Sequence, residues 1–338
     1  PSQYTSVRLG EFPNPNVGWE KAKKLNLGAD LSFFNQLNIS VDYFKENREG
    51  IFLQRKSIPM YVGLSTKPWV NIGKMRNSGI DASLEYHQPL GKDIHLTVRG
   101  NFTYARNRIM DQDEPDYAYT YMNRSGQMQY QKFGLVAVGL FQDQEDIDSW
   151  TKQSFGEVKP GDIKYLDLNG DGIVDSYDTK PIGYSDIPEI VYGFGFSLQW
   201  KAFDLSAFFQ GVAHVNFSTL TDQTQAFVGR NLKESSVFAD LYGNTWTPEN
   251  PGAKYPRMTT GAVDNNNQLS TFWMADGRYL RLKNLELGYT LPKRIANKIA
   301  MQSLRVYLSG VNLFTFSPFK LWDPDLQTGA TNYPNNRI

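Results

Sequence analysis

The segment Leu25-Asn26-Leu27-Gly28-Ala29-Asp30-Leu31-Ser32-Phe33 alternates apolar residues with small or polar ones. After Asn35-Gln36 the rhythm returns, with Leu37, Ile39, Val41 and Tyr43 set against Asn38, Ser40 and Asp42. A period of two over this length specifies strand, because successive side chains of extended backbone point to opposite faces. The short link specifies a hairpin with one apolar face and one wet face.

Outward from this hairpin the pattern recurs. Ile80, Ala82, Leu84 and Tyr86 alternate with Asp81, Ser83, Glu85 and His87; after Pro89-Leu90-Gly91, Ile94, Leu96, Val98, Phe102 and Tyr104 alternate with His95, Thr97, Arg99, Asn101 and Thr103. Further strands are expected at Ile190 to Trp200, Phe203 to Gln210, Tyr279 to Leu291 and Leu304 to Ser309, with a helical turn between Pro292 and Met301. Ionised groups on the wet faces, such as Asp42, Asp81 and Glu85, must be solvated or paired.

The loop lengths alternate too. Four links are short, and three are long: Lys45 to Asn77, residues 111–188, and Thr219 to Gly277 with an Asn-rich tip at Asn265 to Asn267. All elaboration therefore falls at one end of an up-and-down antiparallel sheet. The fold class expected is all-β, a transmembrane antiparallel β-barrel with long extracellular loops. A soluble β-sandwich alternates similarly and is the competing architecture.

Composition is compatible with this. Lys plus Arg and Asp plus Glu both number 35, so there is no electrostatic case for nucleic acid. The absence of cysteine removes thiol catalysis, thiolate zinc sites and disulfides together. No apolar run reaches the length of a membrane helix, which says nothing against a barrel.

One loop carries a metal-ligand spacing. In Asp167-Leu168-Asn169-Gly170-Asp171-Gly172-Ile173-Val174-Asp175-Ser176-Tyr177-Asp178, side-chain oxygens stand at positions 1, 3, 5, 9 and 12. Gly172 occupies position 6, and the Ile173 carbonyl position 7. A hard cation with many oxygen ligands suits this spacing, so Asp167, Asn169, Asp171, Ile173, Asp175 and Asp178 are expected to bind Ca2+. Asp178 replaces the usual Glu, and Pro181 follows where a flanking helix would continue, so the loop reads as a staple for irregular chain. A polar turn with self-capping Asp and Asn is the alternative.

Several segments resemble the barrel of SusC/RagA-type TonB-dependent outer-membrane transporters. They include Asn14-Pro15-Asn16 with Trp19-Glu20-Lys21, Asn77-Ser78-Gly79-Ile80, Gly161-Asp162-Ile163 leading into the 167–172 run, and Pro188-Glu189-Ile190-Val191-Tyr192-Gly193. Tyr279-Leu280-Arg281-Leu282-Lys283-Asn284 and Leu287-Gly288-Tyr289-Thr290-Leu291-Pro292 extend the match to the later strands. The resemblance implies a barrel of about 22 strands around a plug. It also implies import of bulky nutrients (oligosaccharides, and in some members peptides), a SusD-like surface lipoprotein over the mouth, and energy from the TonB complex. Segments matching the signal peptide, TonB contact, plug, early strands and last strand are missing. Residues 1–338 are therefore expected to be part of one barrel domain, the C-terminal portion of a longer polypeptide.

No catalytic set is expected: Asp81 and Glu85 lie on one strand without acid/base context, and the histidines are only His87, His95 and His214. Tyr117, Tyr119, Tyr121, Tyr130, Trp246, Trp273 and Trp322 fall in or near outward loops and are candidates for stacking on substrate or packing on the lid. Arg124, Arg230 and Arg257 are weaker candidates of the same kind. A soluble calcium-dependent carbohydrate-binding module is the rival function.

Overall fold

A computed structural model describes residues 13–64, 66–221, 224 and 239–327; Arg230 lies outside these. Eight long strands form one sheet: β1 Lys21–Phe33, β2 Leu37–Gln54, β3 Trp69–Pro89, β4 Ile94–Asp111, β5 Ile190–Trp200, β6 Phe203–Ala213, β7 Tyr279–Thr290 and β8 Arg305–Phe316. Each pairs antiparallel with its neighbour in sequence, and β1 does not pair with β8, so the sheet is an open wall.

The register explains the faces. Leu27 pairs with Tyr43 and Tyr43 with Ile80, while Asp42 pairs with Asp81 and Asp81 with Thr103. Apolar rows therefore run across strands on one face and polar rows on the other. Leu27, Leu31, Phe194, Phe196, Trp200, Leu287 and Leu308 are exposed on the apolar side. Among the described residues no second sheet covers this band, which overturns the sandwich alternative: its inner faces would bury those side chains. Such a continuous apolar surface suits hydrocarbon, not water. Near the short-turn end, Trp200, Phe203 and Tyr289 form a chain of ring contacts at 6.3 and 4.7 Å, in the manner of an interfacial girdle.

The opposite face is knitted by polar contacts. Ser32 donates to Asn38 (2.8 Å), Thr103 to Asp81 (2.7 Å), and Arg99 pairs with Glu85 (3.0 Å). Arg305 reaches both Asp204 and Glu286. The Phe208 ring lies on Gly193 and Gly195 of the adjoining strand, where an added Cβ would stand 2.7 and 2.9 Å from ring atoms. These glycines are vacancies that the aromatic fills.

Several boundaries differ from the sequence expectation, including β8, which runs on from Ser309 to Phe316. β2 continues to Gln54 and β3 begins at Trp69, so the first long link shortens to residues 55–68. The extension carries cross-strand pairs on a wet surface, including Lys24–Glu46 (3.3 Å) and Arg76 to Asn47 (2.9 Å), so apolar alternation vanishes while backbone pairing persists. Strands of 18 to 21 residues also exceed the roughly 9 to 11 that cross a bilayer at a tilt. The helical turn is present as α1 Lys293–Ala296.

Candidate functional site

The compact core of the molecule lies in its loops. Residues 112–189 between β4 and β5, and 214–278 between β6 and β7, share one buried cluster: Leu135, Leu140, Ile163, Tyr165, Val174, Leu241, Trp246, Tyr255 and Trp273. Together they make a lobe on the long-loop end of the wall. Short strands stiffen it, Ala137–Leu140 with Ile163–Tyr165 and Lys152–Gln153 with Ile173–Val174.

A buried polar network joins the two loops. The carboxylate of Asp162, fully buried, pairs with Arg257 (2.8 Å) and accepts from the Asn266 amide (2.9 Å) and the Lys159 N–H (2.8 Å). Asn265 donates to the Ile163 carbonyl (2.8 Å), and the Tyr165 hydroxyl donates to the Asn265 carbonyl (2.8 Å). Asn265 and Asn266 are thus interior staples, not the exposed tip that their polarity suggested. Buried amides are stable there because each meets its hydrogen-bond complement.

The same lobe corrects two candidate contact residues. Trp246 and Trp273 are 8% and 3% exposed and belong to its core, with the Trp273 indole donating to the Asn266 carbonyl (2.8 Å). They cannot present a face to a solute. Arg257 is likewise committed to Asp162, and Arg124 lies over the Phe133 ring at 4.4 Å. Trp322 packs edge-on against Phe319 and tilted against Phe217, closing a strap after β8. That strap is anchored by Arg281, a buried residue of β7 paired with Asp323. Tyr117 is half-buried, and Tyr130 is exposed on a left-handed backbone (φ 63°).

Tyr119 and Tyr121 come together instead. Their rings stack 5.3 Å apart at 7°, and Tyr119 meets Tyr177 edge-on at 6.2 Å and 70°. The Tyr121 hydroxyl donates to the Tyr177 carbonyl (2.7 Å). Burial, then the nearby Asp178 carboxylate, raises the Tyr121 phenol above its ordinary pKa. Tyr177 was not singled out from sequence. Its place inside the cation motif was the available signal.

The 167–178 loop is tightly self-bonded. Asp167 accepts from the Gly170 and Gly172 N–H groups (2.7 and 2.9 Å), Asn169 from Asp171 (2.9 Å), and Asp171 from Ile173 (2.9 Å). Gly172 makes the sharp turn at φ 87°. Asp178 is fully buried; one oxygen accepts from Leu168 and Asn169, the other from Asp175 (2.8 Å). Among the described residues, no three His, Cys, Asp or Glu side chains converge as a metal-ligand set. The outward oxygens of Asp167, Asn169 and Asp171 each accept a single N–H and retain a lone pair, so this rim has the donor chemistry of a hard cation. Asp178 is turned inward as a structural cap.

At the foot of the lobe, Glu189 is 4% exposed and holds Arg106 through two hydrogen bonds (2.6 and 2.7 Å). His214 sits 3.1 Å from Glu189 and stacks on Tyr184 at 4.5 Å. Asp113 forms a second tie, accepting from Arg55, the Lys56 N–H and both the N–H and hydroxyl of Ser57. The three long links are therefore fastened to the wall and to one another.

This combination of an apolar-faced meander and a folded lobe at one end defines an outer-membrane β-barrel wall. The chain belongs to the TonB dependent receptor-like, beta-barrel family, whose model matches residues 2–313. It is 30% identical over 350 residues to TonB-dependent receptor P3 of Formosa agariphila, covering 99% of this chain and 33% of that protein. It is 25% identical over 352 residues to TonB-dependent receptor SusC of Bacteroides thetaiotaomicron, covering 98% of this chain and 32% of that one. The chain thus spans about a third of the length of these curated relatives. Among solved structures, the RagAB peptide importer in an 'open-open' state aligns at a TM-score of 0.73 with 23% identity, over 98% of this chain and 36% of that chain. The RagAB peptide transporter aligns at 0.71, also with 23% identity, over 96% and 35%. The structural likenesses bear out the fold, and the family membership places the protein in the outer membrane of a Gram-negative bacterium.

Proposed function

We propose that this protein is the SusC-like barrel of a TonB-dependent transporter that imports bulky nutrients, oligosaccharides foremost and peptides as the second class. The observation that carries the reading is the family match across a wall with one lipid-facing and one polar side. A SusD-like surface lipoprotein is the expected partner at the lobe, and the TonB complex the expected energy source. No bond of the solute is made or broken in this reading, so the protein is a transporter and not an enzyme. The test is uptake by the source bacterium with and without the gene, together with mass spectrometry of the detergent-extracted complex. Loss of energised uptake of one glycan or peptide class, and a co-purifying lipoprotein, are the expected results. Unchanged uptake of every class, or a protein monodisperse without detergent, overturns it.

The 167–178 rim is proposed as a Ca2+ site that stiffens the lobe. Asp167, Asn169 and Asp171, the Ile173 carbonyl and the Asp175 carboxylate would hold the ion, which would supply structure and no chemistry. Asp178 would act by shaping the loop. Its three backbone hydrogen bonds support that role.

A further inference from the structure

The stacked tyrosines beside the 167–178 loop form an aromatic cluster with both ring surface and hydroxyls left over. Tyr177 is 47% exposed, and Tyr119 and Tyr121 are half-buried. The Tyr121 hydroxyl is spent on the Tyr177 carbonyl, which fixes the Tyr177 backbone relative to the pair. Among the described residues, the hydroxyls of Tyr119 and Tyr177 have no hydrogen-bond partner. Two rings at 70° form a corner: a flat apolar wall, a second ring edge and two free hydroxyls. By contrast, Trp246 and Trp273 have no face to offer.

We propose that Tyr119, Tyr121 and Tyr177 form a stacking platform for a pyranose ring of a neutral oligosaccharide. This rests on the transporter reading and names the substrate class. A sugar ring presents an apolar C–H face rimmed by hydroxyls, which matches a tyrosine face flanked by phenolic hydroxyls. Charge selects against an acidic glycan or acidic peptide: Asp167, Asp171, Asp175 and Asp178 surround Tyr177 in sequence, and a divalent cation cancels only half of their charge. A lysine or arginine side chain would gain from the rings. It would compete with the loop's own N–H donors for the oxygens of Asp167, Asp171 and Asp178, each of which already accepts a hydrogen bond. A neutral ring needs no counter-charge.

The test uses the full-length transporter in detergent, with its co-purifying partner retained. Calorimetric titrations are run with neutral hexasaccharides of differing linkage (malto-, xylo-, manno- and laminari-), a polyuronate hexamer and a lysine-rich hexapeptide. The expected result is binding of a neutral glycan, weakened about fivefold to tenfold by Tyr177→Ala and by Tyr119→Ala, and only about twofold to threefold by Tyr177→Phe, which keeps the ring and loses the hydroxyl. An unchanged wild-type thermal transition in each variant shows that the lobe stays folded. Neutral-glycan affinity that survives both alanine variants overturns the platform and leaves the transporter reading standing. So does selective binding of the lysine peptide that depends on Tyr177. If no probe binds and no probe is taken up by cells, the transporter reading falls with it.

Discussion

Asp162 and Arg257 lie 95 residues apart in sequence, yet their charged groups meet at 2.8 Å beneath the loop lobe. One comes from the loop after β4 and the other from the loop after β6. Their ion pair is buried on the carboxylate side, where removing one partner leaves an uncompensated charge. Arg257→Ala is expected to destabilise the lobe by about 3 kcal/mol. Amide hydrogen exchange should show faster opening of residues 159–166 and 255–273 with the strands of the wall unaffected. Uniform protection would refute the claim that one core serves both loops.

Asp113 predicts an acid-sensitive tie. Burial works against its ionisation, but Arg55, Ser57 and the Lys56 N–H outweigh it and hold the carboxyl at about 2. A depressed carboxyl stabilises the fold above its unfolded pKa of about 3.9 and loses that contribution as pH falls toward 2. Proteolysis of the 55–68 link by an acid-active protease should accelerate between pH 4 and pH 2, and be constant from pH 5 to 8. In Asp113→Asn the acid step should disappear.

The proposed Ca2+ site separates two kinds of aspartate. Asp171→Ala removes an exposed rim oxygen, so bound calcium, counted by elemental analysis of the purified protein, should fall from one per chain to none while the fold survives. Asp178→Ala strips three backbone N–H groups of their acceptor and should loosen residues 167–178 whether or not calcium is supplied. Equal effects of the two variants would show that Asp178 is merely another ligand.

On the polar side of the wall, Gly195→Val should displace Phe208 and destabilise the sheet by about 1 to 3 kcal/mol. Gly195→Val combined with Phe208→Ala should recover part of that loss, because the ring, 2.9 Å from the new Cβ, is one of the groups it strikes, beside the Ala207 carbonyl oxygen at 2.5 Å. Midpoints of urea unfolding in detergent measure both. No recovery would place the clash with backbone instead.

The wall was legible because lipid on one face and water on the other impose a strict period of two on Leu25 to Tyr43 and its successors. Where both faces are wet, as from Lys45 to Gln54, hydrogen-bonded strands leave no such trace, and these residues read as loop. The lobe was less legible still. Asn265 and Asn266 look like surface residues until Ile163 and Asp162, a hundred positions earlier, are brought beside them. Trp246 and Trp273 were assigned outward because they lie in outward loops, but a loop long enough to fold has an inside of its own. The cation motif was read from its oxygens, whereas Tyr177 within it became meaningful only once Tyr119 and Tyr121 were seen against it.

The lengths of β2, β3 and β4 have a spatial consequence. Strands of 18 to 21 residues span roughly 60 to 70 Å, about half of which is enough to cross the hydrocarbon at a tilt. The remainder stands clear of the bilayer, so the wall rises some 20 Å above the lipid. In the proposed transporter, a solute arriving at the lobe would meet this extension of the wall before it reached the depth of the membrane. Under that proposal capture and passage would occupy different storeys of one wall, and substitutions in each could be read separately.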